Sequence, residues 1–128
     1  MTTAVLPASI LVAVLVGGCG APHLQTMRRA EASLTGAPAE RLVQCIGAPA
    51  KIEVDTGRVQ HRYSSVQQRD ANGLTLPDPL AAEAPRACLM NAVVADGRID
   101  TIRFDNRAGW GFGSIAQCSA LVAACVAG

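Results

Sequence analysis

Apolar and polar positions sort this chain into a few distinct patterns. At the N-terminus an almost unbroken apolar run extends from Ala4 to Val16. Within GAPAERLVQCIGAP, residues 36–49, Leu42, Cys45 and Ile46 recur at helical spacing and predict a short helix with one apolar stripe. Pro38 suits its first turn, where a missing N–H costs nothing, and Glu40 favours the positive end of the helix dipole. Gly47 and Pro49 then stop it, because glycine accepts a left-handed cap and proline cannot continue the helix. Two later stretches alternate with period two. KIEVDTGRVQHRYSS, residues 51–65, places Ile52 and Val54 before a turn at Asp55-Thr56-Gly57 and Val59, His61 and Tyr63 after it. CLMNAVVADGRIDTIRF, residues 88–104, is a second hairpin. A turn over Ala95, Asp96 and Gly97, with Gly97 in the left-handed bulge position, sets Met90 opposite Ile102 and Cys88 opposite Phe104. It turns Cys88, Met90, Ala92 and Val94 to the buried side. Last, Ser114 and Gln117 form a capping box ahead of Cys118, Leu121, Val122 and Cys125, which share one helical face.

The order helix, four strands, helix predicts an α+β fold: a short helix and a C-terminal helix packed on one face of a small antiparallel sheet of about four strands. Residues 35–128 form this single domain. Residues 19–34 are expected to be a tether, since Leu24, Met27 and Leu34 make too short a pattern to demand a helix, and Arg28 and Arg29 are read as solvated. Residues 66–86, VQQRDANGLTLPDPLAAEAPR, carry three prolines and few core candidates. A loop of this length is usually functional or disordered, so Leu74, Leu76 and Leu80 are candidate partner contacts against the plainer expectation of a mobile loop.

The leading apolar run is too short for a membrane span, which takes about 20 apolar residues, and has the size of a signal-peptide core. Small residues follow it, and then Cys19. Val16, Gly17, Gly18 and Cys19 resemble the lipobox of bacterial lipoproteins, in which the cysteine is acylated and becomes the first mature residue. The alternative is a plain secretory signal over residues 1–18, cut near Gly18 or Cys19. Cysteine arithmetic favours the lipid. Five cysteines cannot all pair within one chain. Setting Cys19 aside leaves Cys45, Cys88, Cys118 and Cys125, which in a small exported domain read as two disulfides.

Their pairing is constrained by the last helix. A helix rises about 1.5 Å per residue, so Cys118 and Cys125 stand roughly 10 Å apart, beyond the roughly 7 Å a disulfide tolerates. That excludes their pairing with each other and leaves two connectivities. The short connection after Phe104 favours Cys88 with Cys118 and Cys45 with Cys125, with the crossed arrangement close behind.

Composition narrows the function. A net charge of +1 with interspersed signs gives no field for nucleic acid, and aromatic residues at 3% leave a thin core that gains from cross-links. His23 and His61 do not cluster with other ligands, so no metal or cofactor is expected, and Asp96 and Asp100 read as turn and surface residues. GWGFGS, residues 109–114, reads as a glycine-spaced connector, with Trp110 and Phe112 over the core edge. No catalytic residue is assigned, and the chain is expected not to be an enzyme.

The lipobox, the glycine-helix-Gly-x-Pro element of Gly36, Leu42, Cys45, Ile46, Gly47 and Pro49, Tyr63 on the next strand, and DGRIDTIRF together resemble the SmpA/OmlA (BamE-like) family of small outer-membrane lipoproteins. The resemblance covers roughly residues 34–65 and 88–104. It implies helices on one face of an antiparallel sheet and action through contacts. The insertion, the four further cysteines and the C-terminal helix mark a cysteine-stapled branch. The expectation is a lipid-anchored protein of the bacterial cell envelope, in the outer membrane facing the periplasm, attached through its N-terminal lipid and contacting an unknown envelope protein. The alternative is a small secreted binding or inhibitor module using the 66–86 loop.

Overall fold

A computed structural model describes residues 21–109 and 115–126. The expectations for residues 1–18, for Cys19, for Ser114 and for Trp110 and Phe112 lie outside the described residues. Helix α1 spans Ala21–Leu34 and α2 spans Glu40–Cys45. Strands β1 (Lys51–Asp55), β2 (Arg58–Ser64), β3 (Cys88–Ala95) and β4 (Arg98–Asn106) follow, then helix α3 (Ile115–Val122). Short 3-10 turns occupy Ala81–Glu83 and Ala123–Cys125. The strands form one antiparallel sheet in the order β1-β2-β3-β4. The helices pack over one face of it, giving the α+β architecture expected from the alternating and helical patterns.

Residues 21–34 are not a tether. Met27, Ala30 and Leu34, spaced by three and four, are buried in the core as one stripe of α1, which packs against α3 and the Ala123–Cys125 turn. The stripe runs through an alanine with no exposed surface, whereas Leu24, the large residue that drew attention, is 40% exposed. In a chain this poor in aromatics, a small side chain that lets two helices approach closely does the work of a bulky one.

Helix α2 enters from the far edge of the sheet. The Gly36 N–H donates to the Ile99 carbonyl (2.7 Å), the Ile99 N–H to Ala37 (2.9 Å) and the Ala39 N–H to Gly97 (2.9 Å), so this segment covers the start of β4. Such cover blunts an edge that would otherwise template aggregation. Leu42 and Ile46 then face the core, and the chain stops at Gly47, whose φ of +122° only glycine accepts readily.

Opposed residues in a sheet share a face, so the register sorts the side chains. Tyr63 lies opposite Met90 and Met90 opposite Phe104, while His61, Ala92 and Ile102 form the next row, all toward the helices. Arg62, Asn91 and Arg103 form a row on the other face. The β3–β4 register differs from expectation by two residues. Ala95 pairs with Arg98 across a two-residue turn, with Asp96 at φ +52° and Gly97 at φ +74°, the primed geometry that matches strand twist. A bulge then intervenes, since Val93 pairs with Thr101 but Val94 with Ile99, which leaves Asp100 unopposed. Met90 therefore faces Phe104 and Cys88 faces Asn106. A shift of two keeps every side chain on its face, and Cys88, Met90, Ala92 and Val94 are buried as expected.

Tyr63 is the largest fully buried side chain among the described residues. Its hydroxyl donates to the Gly47 carbonyl at 2.9 Å, which ties the end of α2 to β2. Burial pushes the phenol well above its ordinary pKa, so the donor stays protonated.

Candidate functional site

The four cysteines of the domain are joined in pairs. Cys88 on β3 bridges to Cys118 on α3 with Cα atoms 5.3 Å apart, and Cys45 at the end of α2 bridges to Cys125 with 5.1 Å. Both Cα separations fit a disulfide. Cys118 and Cys125 do not share one helix as expected: α3 ends at Val122 and Cys125 lies on the 3-10 turn that follows, yet the two cysteines still pair with different partners. Gln117 Oε1 accepts from the Ser65 hydroxyl at 3.0 Å, and the Ser65 hydroxyl oxygen accepts the Cys88 N–H at 2.9 Å, so the Cys88–Cys118 bridge is flanked by a polar chain between α3 and the sheet.

Residues 66–86 are held in place by polar groups that bond to backbone. Gln67, only 6% exposed, donates through Nε2 to the carbonyls of Ala48 (3.0 Å) and Leu76 (2.9 Å), and its Oε1 accepts the Ser64 N–H (2.8 Å). Buried Thr75 donates its N–H to Ile46 (2.9 Å) and its hydroxyl to Ala48 (2.7 Å), and its carbonyl accepts the Ala48 N–H (3.0 Å). Asp70 Oδ1 accepts the N–H groups of Asn72 (2.8 Å) and Leu74 (3.0 Å), closing a tight turn. Ala81 and Ala82 are buried where the 3-10 turn meets β2. The loop is therefore an ordered part of the fold, contrary to the expectation of a mobile one.

The three candidate leucines have different fates. Leu80 is 83% exposed and Leu76 is 40% exposed, whereas Leu74 is half-buried and lines a cavity between the loop, α2 and α3. Sequence reasoning missed that this cavity also gathers two arginines, because its walls come from three separate segments. A further apolar surface lies on β1, where Ile52 and Val54 point to the helix side of the sheet but the helices do not reach over them.

His61 sits half-buried between Ile52 and Ala92, with its Nδ1 buried and without a hydrogen-bond partner. Burial lowers its pKa from the ordinary 6.5, because the charged ring is poorly solvated there. Above pH 6.5 the imidazole is neutral in both folded and unfolded chains; below it the unfolded chain takes up a proton that the fold resists. Stability is thus expected to fall as pH drops from 6.5 toward the lowered folded pKa. Melting temperatures at pH 7.5 and 5 should show this drop for the wild type and a smaller one for His61→Gln, and equal drops would remove His61 as the cause.

Among the described residues no group of three His, Cys, Asp or Glu side chains could hold a metal ion, and no helix is long and apolar enough to cross a membrane. Compared with protein-family models, curated proteins and solved structures, the chain finds no match.

Proposed function

We propose that the protein is a lipid-anchored component of the bacterial cell envelope that acts by protein-protein contact, held through acylated Cys19 in the outer membrane and facing the periplasm. The observation that carries this reading is the closure of Cys45, Cys88, Cys118 and Cys125 on one another. Of five cysteines, Cys19 alone stands outside the bridges, and it directly follows the apolar run and two glycines. Two disulfides fit an oxidising compartment. The helices-on-sheet architecture is of the kind the SmpA/OmlA resemblance implies, and supports a cysteine-stapled relative of that family.

The fold adds a geometric consequence. Helix α1 carries the chain from Ala21 into the core at Met27, so anchoring at Cys19 leaves a short connection between lipid and core and keeps the domain near the bilayer surface. A contact protein mounted this way meets its partner at the membrane, not at the end of a long leash. The secreted-module alternative draws on Leu80, a large apolar side chain presented to solvent by an ordered loop.

Labelling with radioactive palmitate in a bacterial host separates the two. Label is expected in the wild-type protein and absent from Cys19→Ser, which should leave the envelope membranes. Unlabelled wild type released as soluble protein would support the secreted module instead.

A further inference from the structure

The cavity beside the Cys45–Cys125 bridge has a volume of about 390 Å³, within the range of ligand pockets. Its polar rim is Arg41 and Gln44 from α2 with Arg69 and Asn72 from the loop, and its apolar wall includes Leu74 and Leu121. Two guanidinium groups on one concave surface repel each other unless an anion lies between them. Neither has one among the described residues. The ion pairs among the described residues join Lys51 and Arg62 to Glu53 and Arg107 to Asp105, and none includes Arg41 or Arg69. Glu40, beside Arg41 in sequence, makes no ion pair with it, and Asp70, beside Arg69, spends its Oδ1 on the Asn72 and Leu74 N–H groups. Arg69 is steadied by one bond from Nη1 to the Gly73 carbonyl (2.9 Å), and Arg41 makes only a long contact with Ser33 (3.5 Å). A guanidinium carries five N–H donors, so both retain most of theirs.

We propose that this cavity binds the C-terminal carboxylate of a partner polypeptide, with Arg41 and Arg69 taking the charge and the Leu74–Leu121 wall taking the last side chain. Arginine's planar fork matches a carboxylate in a two-bond geometry. A bare phosphate would leave the apolar wall uncovered, whereas a chain end supplies a carboxylate and a side chain from one carbon. Gln44 and Asn72 offer the amide donors and acceptors that the preceding peptide group needs. The Cys45–Cys125 bridge fixes α2 to the segment after α3, so the cavity is built on a cross-link and is formed before the ligand arrives. The proposal rests on the contact reading above only in taking the occupant to be a protein; the pocket chemistry stands without the lipid.

The test is an NMR titration of the oxidised domain, following the Arg41 and Arg69 side-chain Nε–H signals. N-acetyl-leucine stands for a chain end, N-acetyl-leucinamide for the same group without charge, and inorganic phosphate for a free anion. N-acetyl-leucine should shift both arginine signals saturably, and the amide should bind at least tenfold more weakly. Arg41→Gln and Arg69→Gln should each weaken N-acetyl-leucine binding at least tenfold with little change in melting temperature, while Arg103→Gln, on the opposite face, should change neither. Equal response to the amide, tighter binding of phosphate, or no saturable shift would overturn the proposal. So would a response that appears only when neutral residues are appended after Gly128, since that would assign the cavity to the chain's own end. None of these outcomes bears on whether Cys19 is acylated.

Discussion

Reduction of both disulfides is expected to unfold the domain at 37 °C. The Cys45–Cys125 bridge spans 80 residues of sequence and the Cys88–Cys118 bridge 30. Loop-closure entropy assigns them about 4.5 and about 3.6 kcal/mol respectively, with native strain and residual unfolded structure commonly reducing such figures. Together they rival the whole stability of a small domain, about 5 to 15 kcal/mol. The core has little to offset the loss: its fully buried side chains include one tyrosine, a few aliphatics and three of the bridge cysteines, Cys88, Cys118 and Cys125. The pair Cys45→Ala/Cys125→Ala should cost more than Cys88→Ala/Cys118→Ala, by about 0.9 kcal/mol on the same entropy argument. Circular dichroism melts of the oxidised protein, the reduced protein and the two double variants check the ranking. A cooperative melt above 37 °C with all four thiols free would contradict it.

Gly47→Ala is expected to be the most damaging single substitution. At φ +122° a side chain is strained, and a Cβ would collide with the backbone N and O of Thr75 and with its hydroxyl. The colliding group cannot move cheaply, because Thr75 holds Ile46 and Ala48 through its N–H, carbonyl and hydroxyl. Strain of about 1 to 3 kcal/mol adds to hydrogen bonds of about 1 kcal/mol each, giving a loss of about 3 to 5 kcal/mol. In a domain of this size that lowers the melting temperature by about 15 °C or more. Gly57→Ala is the matched control. Gly57 has φ +80°, but nothing lies within 4 Å of its would-be Cβ, so only the backbone strain should appear. Equal losses at the two sites would show that the Thr75 contact does not matter.

The cysteine pairing was legible in part: strand order favoured Cys88 with Cys118 over the crossed arrangement without excluding it, and the helix used to separate Cys118 from Cys125 ends at Val122. Strand faces were legible because alternation assigns them, and a register change of two preserves them. The register itself was not, because the bulge at Asp100 leaves no mark in the hydrophobic pattern. Helix α1 escaped because one rung of its buried stripe is Ala30, which pattern reading weights lightly. The order of residues 66–86 escaped because it comes from Gln67 and Thr75 bonding to distant backbone, which has no periodicity. The arginine-lined cavity was illegible for a plainer reason. Arg41, Arg69 and Leu121 are far apart in sequence and meet only once α2, the loop and α3 have packed.

The mass of the N-terminal peptide of protein extracted from bacterial envelopes with detergent tests the central claim most directly. The account predicts a mature chain that begins at Cys19 with acyl chains on that residue, and that carries no free thiol at Cys45, Cys88, Cys118 or Cys125. A chain that begins elsewhere, or an unmodified Cys19 thiol on protein from the membrane fraction, would contradict it.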